Sequence, residues 1–140
     1  MKAIKNWFLE KQGFGVYAIK ELQKNGFEIA KETEKAVLVN YRIWDQRVYQ
    51  MWIPKSCMTD EWESKYSPKA IGSAYHSYLV DLYTTEYRAG NLGEVRTFKS
   101  GRNVYDGASF KHQWKTKDLM DLLSDYNVSY MTKAEFAETL

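Results

Sequence analysis
The chain has one cysteine, Cys57, two histidines and two prolines among its 140 residues. One cysteine excludes an intramolecular disulfide and a cysteine-rich zinc site. His76 and His112 have no second histidine or cysteine at ligand spacing, which argues against zinc held by three or four such residues. Long apolar runs are also missing. The longest, Val16 to Ile19 and Ala36 to Val39, fall far short of the ~20 residues of a membrane helix. The N-terminus carries no apolar core of signal-peptide length. These absences predict a cytoplasmic protein, with Cys57 reduced and packed. Excess charge is lacking too. With Lys+Arg at 20 and Asp+Glu at 18, the net charge is +2, which excludes an acidic DNA mimic and a histone-like polycation.

What the chain has in excess is aromatic rings: 11 Tyr, 6 Phe and 5 Trp, or 16%. The length fits one domain, 1–140, large enough to bury a core without metal or disulfide staples. Ile4, Trp7 and Phe8 recur at helical spacing, and Gly13-Phe14-Gly15 breaks that segment. Val16, Ile19 and Leu22 predict a second helix stopped by Asn25-Gly26. Phe27 to Ala30, Val37 to Trp44 and Arg47 to Ile53 alternate as strands, with a turn at Asp45-Gln46 and a stop at Pro54. Apolar groups on both faces, Trp44 and Trp52 included, predict a hairpin covered on both sides.

Ser67-Pro68 opens the longest helix, about 68 to 87, carrying Ile71, Tyr75, Tyr78, Leu79, Leu82 and Tyr83. Most of its tyrosines, Tyr75, Tyr78, Tyr83 and Tyr87, read as core rings with hydroxyls reaching outward. Two short strands follow, Val95 to Lys99 and Asn103 to Tyr105. Thr116 caps a helix ended by Asn127, and Thr132 to Glu135 has capping-box spacing. The fold class is α+β: an antiparallel sheet from about 27 to 53 and 94 to 106, packed by the long central helix and flanked by N- and C-terminal helices.

Charge is unevenly placed. Arg96, Lys99, Arg102, Lys111, Lys115 and Lys117 face one acid, Asp106, so 96–117 carries +5. The segment 118–140 carries −4. Phe98, Tyr105, Phe110, Trp114 and His112 are interleaved with the cations. Such a stretch can follow phosphates through counterion release and stack unpaired bases on its rings. It can equally dock on a protein, with Tyr105 and Trp114 as anchors. The plain alternative is a solvated hairpin face whose rings point inward. The candidate binding residues are therefore Arg96, Lys99, Arg102, Tyr105, Lys111, His112, Trp114, Lys115 and Lys117. Trp62, in the acidic loop Asp60-Glu61-Trp62-Glu63, joins them as an interface anchor if it is exposed.

Catalytic patterns are weak. Asp81, Glu94 and Arg96 only loosely follow the order of a metal-dependent nuclease. His112 beside Lys111, Lys115 and Tyr105 could serve a metal-free ribonuclease but has no evident partner. No phosphate-binding loop is present. The sequence assigns no catalytic residue, metal or cofactor.

The segments Glu32-Thr33-Glu34-Lys35-Ala36-Val37-Leu38-Val39 and Trp52-Ile53-Pro54-Lys55-Ser56 resemble hairpins of small accessory proteins from phages and mobile elements of Gram-positive bacteria. That resemblance spans about 25 residues. It implies an accessory gene of a mobile element, of a kind that handles single-stranded nucleic acid or blocks host defence, anti-CRISPR proteins included. Together with the absent catalytic constellation, the aromatic excess and the basic stretch, it makes a non-enzymatic inhibitor of a host defence protein or ribonucleoprotein the leading expectation. The alternatives are a direct single-stranded DNA or RNA binder and, third, the small ribonuclease.

Overall fold
The computed structural model describes residues 1–45, 47–92 and 114–140. It is an α+β structure with antiparallel strands, a long central helix and helices on either side in sequence. The chain divides into two compact units, Met1–Ile71 and Gly72–Leu140, and the division falls inside the long helix α3 (Pro68–Arg88).

In the first unit a short strand β1 (Ala3–Ile4) pairs antiparallel with β5 (Met58–Thr59). Ile4, expected in a helix, is therefore a strand residue. The helix begins later, as α1 (Asn6–Lys11). Its flanking residue Lys5 offers no side-chain cap. The capping acceptor comes instead from Glu63, whose Oε1 receives the Asn6 backbone N–H at 2.7 Å. Sequence periodicity cannot register a cap 57 residues away. Phe8 and Leu9 are buried whereas Trp7 is exposed, so the expected Ile4–Trp7–Phe8 face does not form.

Helix α2 (Val16–Asn25) buries Val16, Ile19 and Leu22 and ends at Gly26, as the sequence indicates. Gly26 has φ 72° and ψ −169°, a backbone region essentially reserved for glycine. It lets the chain pass directly into β2 (Phe27–Glu32). Strands β3 (Ala36–Tyr41) and β4 (Tyr49–Pro54) complete a sheet of order β2-β3-β4. Directly paired residues share a face. Val37 pairs with Ile53 and Val39 with Met51. That face packs into a cluster with Ile4, Leu9, Ile19, Leu22 and the thiol-bearing Cys57.

The opposite face corrects the expectation of a hairpin covered on both sides. There Leu38 pairs with Trp52 and Asn40 with Gln50. Leu38 is buried, but Trp52 is 49% exposed and Gln50 lies open to solvent. Polar residues in register, with Gln50 Nε2 donating to Asn40 Oδ1 at 2.9 Å, make this the solvent side. Alternation of apolar groups on both faces concealed it, because tryptophan marks strand propensity whether or not it is buried.

In the second unit α3 continues from Gly72, followed by α4 (Thr116–Asp125) and α5 (Lys133–Glu138). Ser67 caps α3 through an acceptor bond from Ala70 N at 3.1 Å. The helix closes where Asn91 N reaches the Glu86 carbonyl and Gly90 takes φ 78°. Helix α4 departs from expectation: Thr116 is its first helical residue and Lys115 its flanking residue, without a side-chain cap. Asn127 ends it in the left-handed region, φ 59°. The capping box of α5 forms in both directions between Thr132 and Glu135. The buried apolar residues here include Tyr75, Leu79, Tyr83, Leu119, Leu123 and Phe136. The strands expected at Val95 to Lys99 and Asn103 to Tyr105 lie outside the described residues.

Candidate functional site
Of the residues singled out by sequence, Arg96, Lys99, Arg102, Tyr105, Lys111 and His112 lie outside the described residues. Lys115 and Lys117 are exposed at the start of α4. Trp114 is not an exposed anchor. It is buried, and its ring meets Tyr83 edge-on at 5.0 Å. The His76 Nε2 donates to its backbone carbonyl, which places the proton on that ring nitrogen. Trp62 is likewise turned inward. It packs against the first unit's core and meets the Phe27 ring edge-on at 6.1 Å. In both cases a large apolar ring gains more from burial than from solvent exposure.

The structure draws attention to a different place, the end of the β3–β4 hairpin. An open groove of about 940 Å³ lies there, bounded by the C-terminal end of α2, the start of β2 and the chain after β3. Its apolar lining comes from Phe27, Tyr41, Ile43, Trp44 and Val48. Phe27, Tyr41 and Ile43 rest on the core beneath. Trp44 is 65% exposed, the most exposed large apolar residue among those described.

Local chemistry explains why this groove holds its shape. Asn25, at the last turn of α2, donates its side-chain amide to the carbonyls of Arg42 and Ile43 at 3.0 and 3.2 Å. This ties the helix end to the chain leaving β3. Asp45 organises the turn. Its Oδ1 accepts from Arg47 N at 3.2 Å and its Oδ2 from the Tyr49 hydroxyl at 2.7 Å. The bond to Asp45 raises the pKa of Tyr49 above the ordinary phenol value. Tyr49 stacks on Tyr41 at 5.7 Å, and Phe14 meets Tyr41 at 5.8 Å. Burial raises the pKa of Tyr41 as well. Trp44 is thus held on a braced turn.

Charge at the groove is predominantly negative. Glu21, Glu28 and Asp45 line it against one guanidinium, Arg42. Neither Glu21 nor Glu28 has an ion-pair partner within 4 Å among the described residues. Among the described residues no group of three metal-ligating side chains is gathered, and no helix is long and apolar enough to cross a membrane.

Sequence reasoning missed this groove because it assigned Trp44 to a covered strand. A usable signal was present. Trp44 directly precedes the turn residue Asp45, where strand alternation ends and no partner strand can cover a ring.

No family model matches the chain, and neither a curated protein nor a solved structure matches it.

Proposed function
We propose that this protein is a non-enzymatic inhibitor of phage type. It binds a host nucleic-acid-handling defence complex in the bacterial cytoplasm and prevents substrate engagement. The observation that carries the binding reading is Trp44, 65% exposed on a braced turn beside an open groove. Free-energy hot spots of protein interfaces are enriched in tryptophan, tyrosine and arginine. A large ring left in water at a structured position is therefore a docking anchor. The likeness of the Glu32–Val39 and Trp52–Ser56 segments to phage accessory proteins supports the biological setting. The basic stretch 96–117 supplies a second contact, to which Lys115 and Lys117 contribute exposed ammonium groups.

The test is phage plating on bacteria that carry an RNA-guided nuclease targeting that phage. Expression of the protein restores plating, and Trp44→Ala removes the effect while the variant melts like the parent. Unchanged plating across strains carrying different RNA-guided nucleases overturns the reading. The exposed Lys115 and Lys117 favour a second reading, direct binding of single-stranded nucleic acid. That reading requires affinity for a labelled oligonucleotide to fall steeply with salt.

A further inference from the structure
We infer that the Trp44 groove receives an arginine- or lysine-bearing segment of a protein partner. This rests on the binding reading above and adds the chemistry of the partner. Three carboxylates line the groove against one guanidinium, so its local field repels phosphate and attracts cations. Asp45 already spends both oxygens on Arg47 N and the Tyr49 hydroxyl. Glu21 and Glu28 do not, since neither has an ion-pair partner among the described residues. They are the acceptors available to an incoming guanidinium or ammonium group.

The apolar lining fits the rest of such a side chain. Arginine and lysine carry methylene stems that lie along apolar surface while the charged head stays with polar groups. Ile43 and Val48 offer that surface. The exposed indole of Trp44 offers its face to a cation, the strongest of the aromatic cation sites. A volume of about 940 Å³, open to solvent, is also far larger than a lone metal ion requires. It suits several residues of an extended chain. The carboxylate excess disfavours nucleic acid as the occupant.

The experiment titrates isotope-labelled full-length protein with a short peptide of alternating arginine and glycine. A control peptide carries glutamine in place of arginine. The expected result is amide shift changes at Gly26, Glu28, Arg42 and Ile43, with a change in Trp44 fluorescence, from the arginine peptide only. The paired variant Glu21→Gln with Glu28→Gln, verified by its melting curve, weakens binding about fivefold or more, since two exposed charge contacts are lost. Equal binding of both peptides, shifts confined to other surfaces, or unaltered affinity of the paired variant each overturns the inference. In the plating assay the two proposals separate. If Trp44→Ala abolishes inhibition but the paired variant retains it, the docking reading stands and the cationic occupant is rejected.

Discussion

Tyr78 accepts a hydrogen bond from the backbone N–H of Met131 at 2.9 Å. The neighbouring Tyr75 hydroxyl donates to the carbonyl of the same residue at 2.8 Å. One residue outside any helix or strand thus has both backbone polar groups satisfied by side chains of α3. The two rings stack at 5.8 Å, and Phe136 of α5 packs on both, at 5.6 Å from Tyr75 and 5.3 Å from Tyr78.

Tyr75→Phe and Tyr78→Phe each keep the ring and strand one part-buried backbone group. Each is expected to cost about 1–2 kcal/mol, the desolvation of an unmet donor or acceptor. Chemical denaturation checks this. The double variant should fall short of the sum, because both hydroxyls serve one residue.

Alkaline pH tests the same contact. Burial, with smaller contributions from Tyr130, Tyr78 and Glu135, raises the pKa of Tyr75. A phenol whose folded pKa is raised contributes stability that is whole below its unfolded pKa. That stability disappears as pH rises through the folded value. The parent should therefore lose stability across that alkaline window, and Tyr75→Phe should lose less. Melting curves taken on both sides of the window decide it.

Two glycines should respond oppositely to alanine. Gly72 lies inside α3, and an added Cβ would meet the end of the Lys133 side chain at an ordinary 3.5 Å. Gly72→Ala should stabilise by about 0.5–1 kcal/mol through helix propensity. Gly26→Ala has open space but the wrong backbone, φ 72°. It should destabilise by about 1–3 kcal/mol and disturb the groove. Thermal unfolding of both variants checks the signs.

The capping box of α5 gives an acid-side prediction. Hydrogen bonds from the Thr132 backbone and then its side chain lower the pKa of Glu135. A depressed carboxylate contributes stability above its unfolded pKa and loses it as pH falls through the folded value. Thr132→Ala should cost about 1 kcal/mol near neutral pH. The gap between variant and parent should narrow in acid. Melting at neutral and acidic pH measures this.

Much of the architecture was legible because its signals are local. Asn25-Gly26, Ser67-Pro68, Asn127 and the Thr132–Glu135 spacing each mark an element end through backbone chemistry within four residues. The start of α1 was not legible, because its cap is Glu63 from a distant loop. Helical spacing fixes the face of the α3 tyrosines at Tyr75 and Tyr83, which are core, whereas Tyr87 near the helix end is exposed. The tryptophans were harder. Trp62 and Trp114, candidate anchors by sequence, are inward, whereas Trp44 and Trp52, predicted to be covered, are exposed. Ring type alone carries no sign of direction; the turn next to Trp44 and the Asn40–Gln50 pair opposite the core do. The basic residues from Arg96 to His112 lie outside the described residues.

One irregularity of the sheet bears on how this molecule behaves in company. The pairing of β2 with β3 slips between Ile29 and Lys31, leaving Ala30 as an extra residue. Glu28, Lys31 and Glu32 stand exposed along the same strand. A bulged, charged border gives an approaching strand neither a continuous ladder nor a dry surface. Among the described residues β2 is an outer strand of its sheet, and even with Ile29 exposed on it the bulge and charges make it a poor template for fibre growth between crowded neighbours.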